Sequence, residues 1–116
     1  MIYELRSYYL LRDHIASYLT WANAKALPLL QGQFGFRVVG FWRTAEVIST
    51  DGTAVDEDGP DVVWLIAWLD RAEREKRWTT LESDELWRDT VSEVVPYRRR
   101  EGIVRLLEAI PRSILQ

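Results

Sequence analysis

The sequence has no cysteine, a single histidine and a single methionine, and only four prolines and six glycines in 116 residues. Without cysteine there are no disulfides, no thiolate nucleophile and no iron–sulfur ligands. With His14 as the lone imidazole, no Asp/Glu/His spacing resembles a zinc, iron or calcium site, and no metal is expected. Gly32, Gly35 and Gly40 are too scattered for a phosphate-binding loop and suit turn or bulge positions. The opening MIYELRSYYL carries Glu4 and Arg6 inside its apolar run and shows no secretory cleavage pattern. No apolar run approaches membrane-spanning length, so a cytoplasmic chain with no membrane partner is expected. A net charge of −3 gives no electrostatic reason to expect a nucleic-acid partner.

What the chain does contain is aromatic mass. Six Trp, five Tyr and three Phe in a chain that is 47% hydrophobic suffice for one compact domain spanning residues 1–116. Its central stretch is DVVWLIAWLD, Asp61 to Asp70. Val62, Trp64, Ile66 and Trp68 point one way in a regular strand, and Val63, Leu65, Ala67 and Leu69 the other. Both faces are apolar. Helices of the same chain can cover one face, while the other calls for a ligand or a second subunit.

Before that strand, Ile2 to Leu10 reads as a strand with Tyr3, Leu5, Ser7 and Tyr9 on one face and Ile2, Glu4, Arg6 and Tyr8 on the other. Asp13 is placed to cap a helix running to about Leu30, with Ile15, Leu19, Ala22, Ala26 and Leu29 as its packing stripe and His14 at its surface. Pro28 kinks or ends it, and Gln31 to Gln33 turn the chain. Phe34 to Trp42 forms the next strand, with Phe36, Val38 and Trp42 opposite Arg37, Val39 and Phe41. Ser49 to Pro60 is an acidic hairpin connection.

After Asp70, a charged helix over Arg71 to Leu81 pairs Glu73 with Arg77. A further helix runs from Ser83 to Val95, followed by a solvated turn at Arg98, Arg99 and Arg100. A last strand covers Gly102 to Leu107, and Ile110, Ile114 and Leu115 are free to pack across a subunit boundary. The order predicts an α+β fold: a ferredoxin-like βαββαβ sandwich whose uncovered sheet face pairs with a second copy, the two sheets forming a barrel.

Five stretches in register carry a family resemblance: YELRSYYL (Tyr3 to Leu10), VVGFWRT (Val38 to Thr44), the strand ending in Trp68, RAEREKR after it, and LESDELW (Leu81 to Trp87). Together they resemble the NIPSNAP-like proteins of the dimeric α+β barrel superfamily, over nearly the whole chain. That superfamily implies a homodimer and a pocket between sheet and helices. It includes cofactor-free monooxygenases, haem enzymes, isomerases, cyclases and dehydratases. Two departures matter. Ile66 stands where such sequences commonly place a histidine, and no histidine follows His14 to serve as an axial haem ligand, so no cofactor is expected. The family's acidic residue after the GFW motif corresponds to Glu46.

The candidate pocket takes Glu4, Arg6 and Tyr8 from the first strand and Arg37 from the second as catalytic groups. Trp64, Ile66, Trp68, Trp78, Trp87 and Tyr97 are its candidate substrate-binding residues. Such a set suits metal-free proton transfer of isomerase, cyclase or dehydratase type on a hydrophobic or aromatic substrate. Glu4 would be the base, its pKa raised by apolar surroundings, and Arg6 or Arg37 would stabilise an enolate or phenolate, with Tyr8 as hydrogen-bond donor. The alternatives are a non-catalytic dimeric module that binds a small ligand or a protein partner, and a cofactor-free monooxygenase. The binding module would show Glu4 and Arg6 paired and sealed, with no open cavity at Trp68.

Overall fold

The computed structural model describes residues 1–54, 59–113 and 115. Its frame is a four-stranded antiparallel sheet of β1 (Ile2–Leu10), β2 (Arg37–Arg43), β3 (Val62–Trp68) and β4 (Arg98–Glu108), in the order β2-β3-β1-β4. Three α-helices accompany it: α1 (Ile15–Trp21), α2 (Arg71–Glu82) and α3 (Glu85–Ser92). The run of alternating and β-branched residues explains why β1 and β3 pair centrally, with Glu4 opposite Ile66 and Arg6 opposite Trp64. The side chains of Val62, Trp64, Ile66 and Trp68 are at most 4% exposed, because this face of β3 lies beneath the helices.

This sheet is open, which corrects the expected ferredoxin-like sandwich closing into a dimeric α+β barrel. The edge strands β2 and β4 do not pair with each other among the described residues. They lie three strand spacings apart, roughly 14 Å, and closing a twisted sheet on itself takes about eight strands rather than four. An apolar outer face reads the same in sequence whether a sheet stays open or closes.

The helical segment after β1 also departs from expectation. It starts with a 3-10 turn at Arg12–His14, and Asp13 makes no cap. After α1 it becomes π-helical over Ala22–Ala26 and again over Leu29–Gln33. The buried stripe runs Tyr18, Trp21, Ala22, Ala26 and Leu30; its first two members lie in regular α1, and the wider turns carry it on to Leu30. The wider turns also carry the chain helically past Pro28 to Gln33, so Pro28 does not end it and the expected turn at Gln31 to Gln33 is overturned. His14 stacks on Tyr97 with ring centroids 4.6 Å apart.

A bulge at Val39 reverses half of the predicted β2 pattern. Val38 opposes Ile66 and Gly40 opposes Leu65, so one residue is extra. Phe41 therefore turns to the helix side and packs edge-on against Trp64, while Trp42 points outward and is half exposed. The helices downstream are started by side-chain caps. Asp70 accepts from the Glu73 amide at 2.8 Å, and Asp84, rather than Ser83, accepts from the Trp87 amide at 2.8 Å. Each such cap stabilises its helix by about 1 kcal/mol. Glu73 pairs across to Arg37 at 2.6 Å instead of along its own helix to Arg77.

The strand β4 begins four residues earlier than predicted and absorbs the three arginines. Arg99 donates to the Leu10 carbonyl and to Asp61, and Arg100 lies 3.6 Å from the centroid of the Tyr9 ring. In the tail, Ile110 and Leu115 line a shallow groove of their own chain with Tyr3, Leu65 and Leu107, and Ile114 lies outside the described residues. Of the acidic connection, Val55 to Asp58 also lie outside them; Ile48 and Ala54 form a bridge beside that segment. No helix among the described residues is long and apolar enough to cross a membrane.

Candidate functional site

The helix-facing side of β1 carries Glu4, Arg6 and Tyr8 into the layer between sheet and helices, as alternation dictates. Glu4 is fully buried. Its Oε1 accepts from Trp68 Nε1 at 2.9 Å, Trp78 Nε1 at 3.0 Å and Arg74 Nε at 2.7 Å. Its Oε2 accepts from Arg6 Nη1 at 2.6 Å and Arg74 Nη2 at 3.4 Å. Arg74 and Trp78 reach it together because residues four apart on α2 share a face.

This carboxylate does not have the raised pKa expected of a pocket base. Burial alone would push it up, but the hydrogen bonds from Arg74, Trp78 and Arg6 outweigh burial and hold it below the ordinary carboxylate value. A carboxylate whose lone pairs are all occupied and whose proton affinity is depressed is a counter-ion. It accepts no further proton readily, which removes the reason for casting it as a base. Burial would likewise lower Arg6, but the Tyr8 hydroxyl and Glu4 hold its guanidinium above the ordinary value. For Arg74 the largest influence is the hydrogen bond to Glu4, also upward.

Beside this cluster lies a narrow cavity with about 30 Å³ of free space, room for about two waters. Six of the candidate site residues, Arg6, Tyr8, Trp64, Ile66, Trp78 and Trp87, line it. Four proposed members are outside the lining, Glu4 in the cluster beside it and three others. Trp68 is 1% exposed and is spent on Glu4, outside the cavity lining. Arg37 lies on the rim of an open outer groove with Phe34, Asp70 and Glu73, where its ion pair holds it. Tyr97 packs on His14 at another outer groove. Glu46 is exposed and outside any strand.

The sequence reading missed half of the lining: Tyr18, Trp21, Leu30, Val91, Val94 and Arg98. A π-helical turn hid Leu30, Tyr18 and Trp21 fell outside the stripe drawn through Ile15, Leu19 and Ala22, and Arg98 was masked by its two basic neighbours. Trp21 donates its Nε1 to the Thr90 carbonyl at 3.0 Å, which ties the first helical segment to α3 over the cavity. Burial pushes the Tyr18 hydroxyl well above its ordinary pKa, opposed in part by the nearby Trp64 indole N–H. That N–H nevertheless makes no hydrogen bond of normal geometry, and neither does Arg98 Nε; both atoms are buried. The compartment is thus a small aromatic pocket bordered by cations. No group of three or more metal-ligating side chains occurs among the described residues.

Comparison with known proteins bears on this arrangement. A family model described as NIPSNAP matches residues 3–108. Among solved structures, protein Atu4242 of Agrobacterium tumefaciens superposes with a TM-score of 0.81 at 18% identity, covering 100% of both chains. An uncharacterized NIPSNAP domain protein from Burkholderia xenovorans gives 0.79 at 19%, covering 97% of this chain and 98% of the other. A structure described as an antibiotic biosynthesis monooxygenase gives 0.59 at 17%, covering 96% and 100%. At these identities the structural likenesses establish the fold alone. No curated protein matches.

Proposed function

The chain belongs to the NIPSNAP family, and from that premise we propose that it is a non-catalytic module that binds a small hydrophobic or aromatic molecule between its sheet and its helices. One observation carries the reading: an enclosed aromatic cavity sits against a carboxylate that is already saturated. Glu4 is paired with Arg6 and fully buried, and Trp68, which also donates to it, is 1% exposed. The one acid placed to move a proton in this compartment is thereby committed to holding β1 against α2.

Ligand recognition would follow from the lining. The rings of Trp64, Trp78 and Trp87 offer flat apolar surface, and burying a ring against them is the main favourable contribution. A body larger than two waters enters when side chains at the mouth give way. The partly exposed lining residues, Arg6, Tyr8, Trp78, Val91 and Arg98, mark that mouth. A second copy of the chain belongs in the same reading, seated on the outer sheet face where Ile103 and Leu107 are 37% and 40% exposed. A sedimentation profile of a monomer at tens of micromolar would remove that part of it.

The test of the binding reading uses the four cavity tryptophans as reporters. Titrating small aromatic compounds against the full chain should quench tryptophan emission saturably and raise the melting temperature, with the compound recovered unchanged by mass spectrometry. Conversion of any bound compound, lost in a folded Glu4→Gln variant, would replace this reading with a catalytic one.

A further inference from the structure

Two buried donors in the cavity make no hydrogen bond of normal geometry, although the Tyr18 hydroxyl lies near the Trp64 indole. Trp64 is 4% exposed, its ring held edge-on by Phe41 at 4.6 Å and by Tyr8 at 6.5 Å, and its Nε1 lacks a partner. Arg98, entering from the start of β4, also buries an unpartnered Nε, with its guanidinium carbon 5.5 Å from the Tyr8 ring centroid. Both residues line the one cavity. Native proteins seldom leave buried N–H groups unpaired, and two at one small site call for an explanation.

The chemistry of the two groups narrows that explanation. An indole N–H and a guanidinium are donors only, so neither can satisfy the other. The Tyr8 oxygen already accepts from Arg6 Nε at 2.7 Å, which leaves its own proton to be given away. Arg98 takes part in no ion pair among the described residues, and no carboxylate lines the cavity. Glu4 is fully engaged with Arg6, Arg74, Trp68 and Trp78. Apart from the Tyr18 oxygen, which meets Trp64 in no hydrogen bond of normal geometry, the cavity presents donors and positive charge in a low-dielectric setting, where a charge-assisted acceptor gains most.

We propose that Trp64 Nε1 and Arg98 Nε form an oxyanion-recognition site, and that the ligand is a small aromatic monoanion whose carboxylate or phenolate oxygen lies between them. This rests on the ligand-binding reading and adds its polar determinant. The free space is head-sized, about 30 Å³, so it takes the oxygens, and the ring follows as Tyr8 and Trp78 at the mouth give way.

Calorimetry on the full chain with benzoate and with benzyl alcohol, a neutral match for its size, tests the proposal. Benzoate is expected to bind at least tenfold more tightly, and Trp64→Phe or Arg98→Met should bring it down to the affinity of the alcohol. On the wild-type chain, the assigned Trp64 indole proton should shift with benzoate and not with the alcohol, which decides the matter should either variant fold poorly. Equal binding of the two compounds overturns the oxyanion site and leaves the binding module standing. Undiminished benzoate preference in both variants also overturns it, placing the anion elsewhere, such as the Arg37 groove. Binding of neither compound overturns the site, and extended to the wider aromatic panel it overturns the module as well.

Discussion

Replacing Glu4 by glutamine should unfasten the sheet from α2. The side chain is fully buried, and Arg6 and Arg74 beside it are 22% and 18% exposed, so solvent screens this cluster little. A glutamine with its oxygen at the Oε1 position keeps Trp68, Trp78 and Arg74 Nε as donors. Its amide nitrogen then faces Arg6 Nη1, which sits 2.6 Å from Oε2, and Arg74 Nη2 at 3.4 Å: donor against donor. Two guanidinium groups are left without their buried counter-charge, a loss typically costing about 3–5 kcal/mol. In a domain of this size that corresponds to a melting point lower by about 10–20 °C.

The pH dependence supplies an independent check with a definite sign. Because the folded pKa of Glu4 lies below its unfolded value of 4.5, its contribution is present above that value. It is lost as pH falls through the lower, folded pKa. Urea titrations of the two chains at pH 7 and at steps down to pH 3 measure both effects. The wild type should lose stability below pH 4.5 more steeply than Glu4→Gln, so the gap between them narrows with acid. A variant within about 1 kcal/mol of wild type at neutral pH, or a gap that widens in acid, would refute the counter-ion argument.

Three smaller tests follow from the same geometry. A Cβ on Gly102 would lie 3.1 Å from both the Ser7 carbonyl and the Tyr8 ring, so Gly102→Ala should shift Tyr8, cost about 1–2 kcal/mol in a denaturant melt and weaken ligand binding; unchanged affinity would show that Tyr8 does not shape the mouth. Asp61 accepts from the Leu10 amide at 2.8 Å and from Arg99 at 3.3 Å, so Asp61→Ala should cost about 1–3 kcal/mol by stranding a backbone donor at the β1 end. Its hydrogen exchange should speed up at Leu10 and not at Tyr3. Tyr18, with its pKa raised by burial, contributes stability that is present below the ordinary value of 10.0 and lost as pH rises above it. Tyr18→Phe should therefore flatten the alkaline loss of stability, and an identical slope in both chains would contradict the burial argument.

Some elements were legible because one local rule sufficed. Alternation alone places Glu4, Arg6 and Tyr8 on one face of β1 and Trp64, Ile66 and Trp68 on one face of β3. The four-residue spacing of Arg74 and Trp78 already put them on one side of α2, though only the sheet opposite shows why. Other elements were hidden by departures that depend on packing. The extra residue at Val39 inverts Phe41 and Trp42, and the π-helical turns carry the buried stripe on to Leu30. A periodicity read with a fixed step cannot register either change. Arg98 fails for a different reason: three consecutive arginines read as a solvated run, whereas a strand sends neighbours to opposite faces and buries one of them beside Trp64.

The sequence by itself determined the absence of cysteine chemistry, the two central strands, the charged helix after Asp70 and an aromatic compartment facing Glu4. These follow from residue types and short-range spacing. Only the tertiary structure decided whether the sheet closes, which way the Glu4 pKa moves, and which donors are left unpaired. Those depend on groups 64 to 74 residues away in sequence, such as Trp68, Arg74 and Trp78 around Glu4. The sign of a buried charge's pKa is the balance of desolvation against such partners, and that balance exists only once the chain has brought them together.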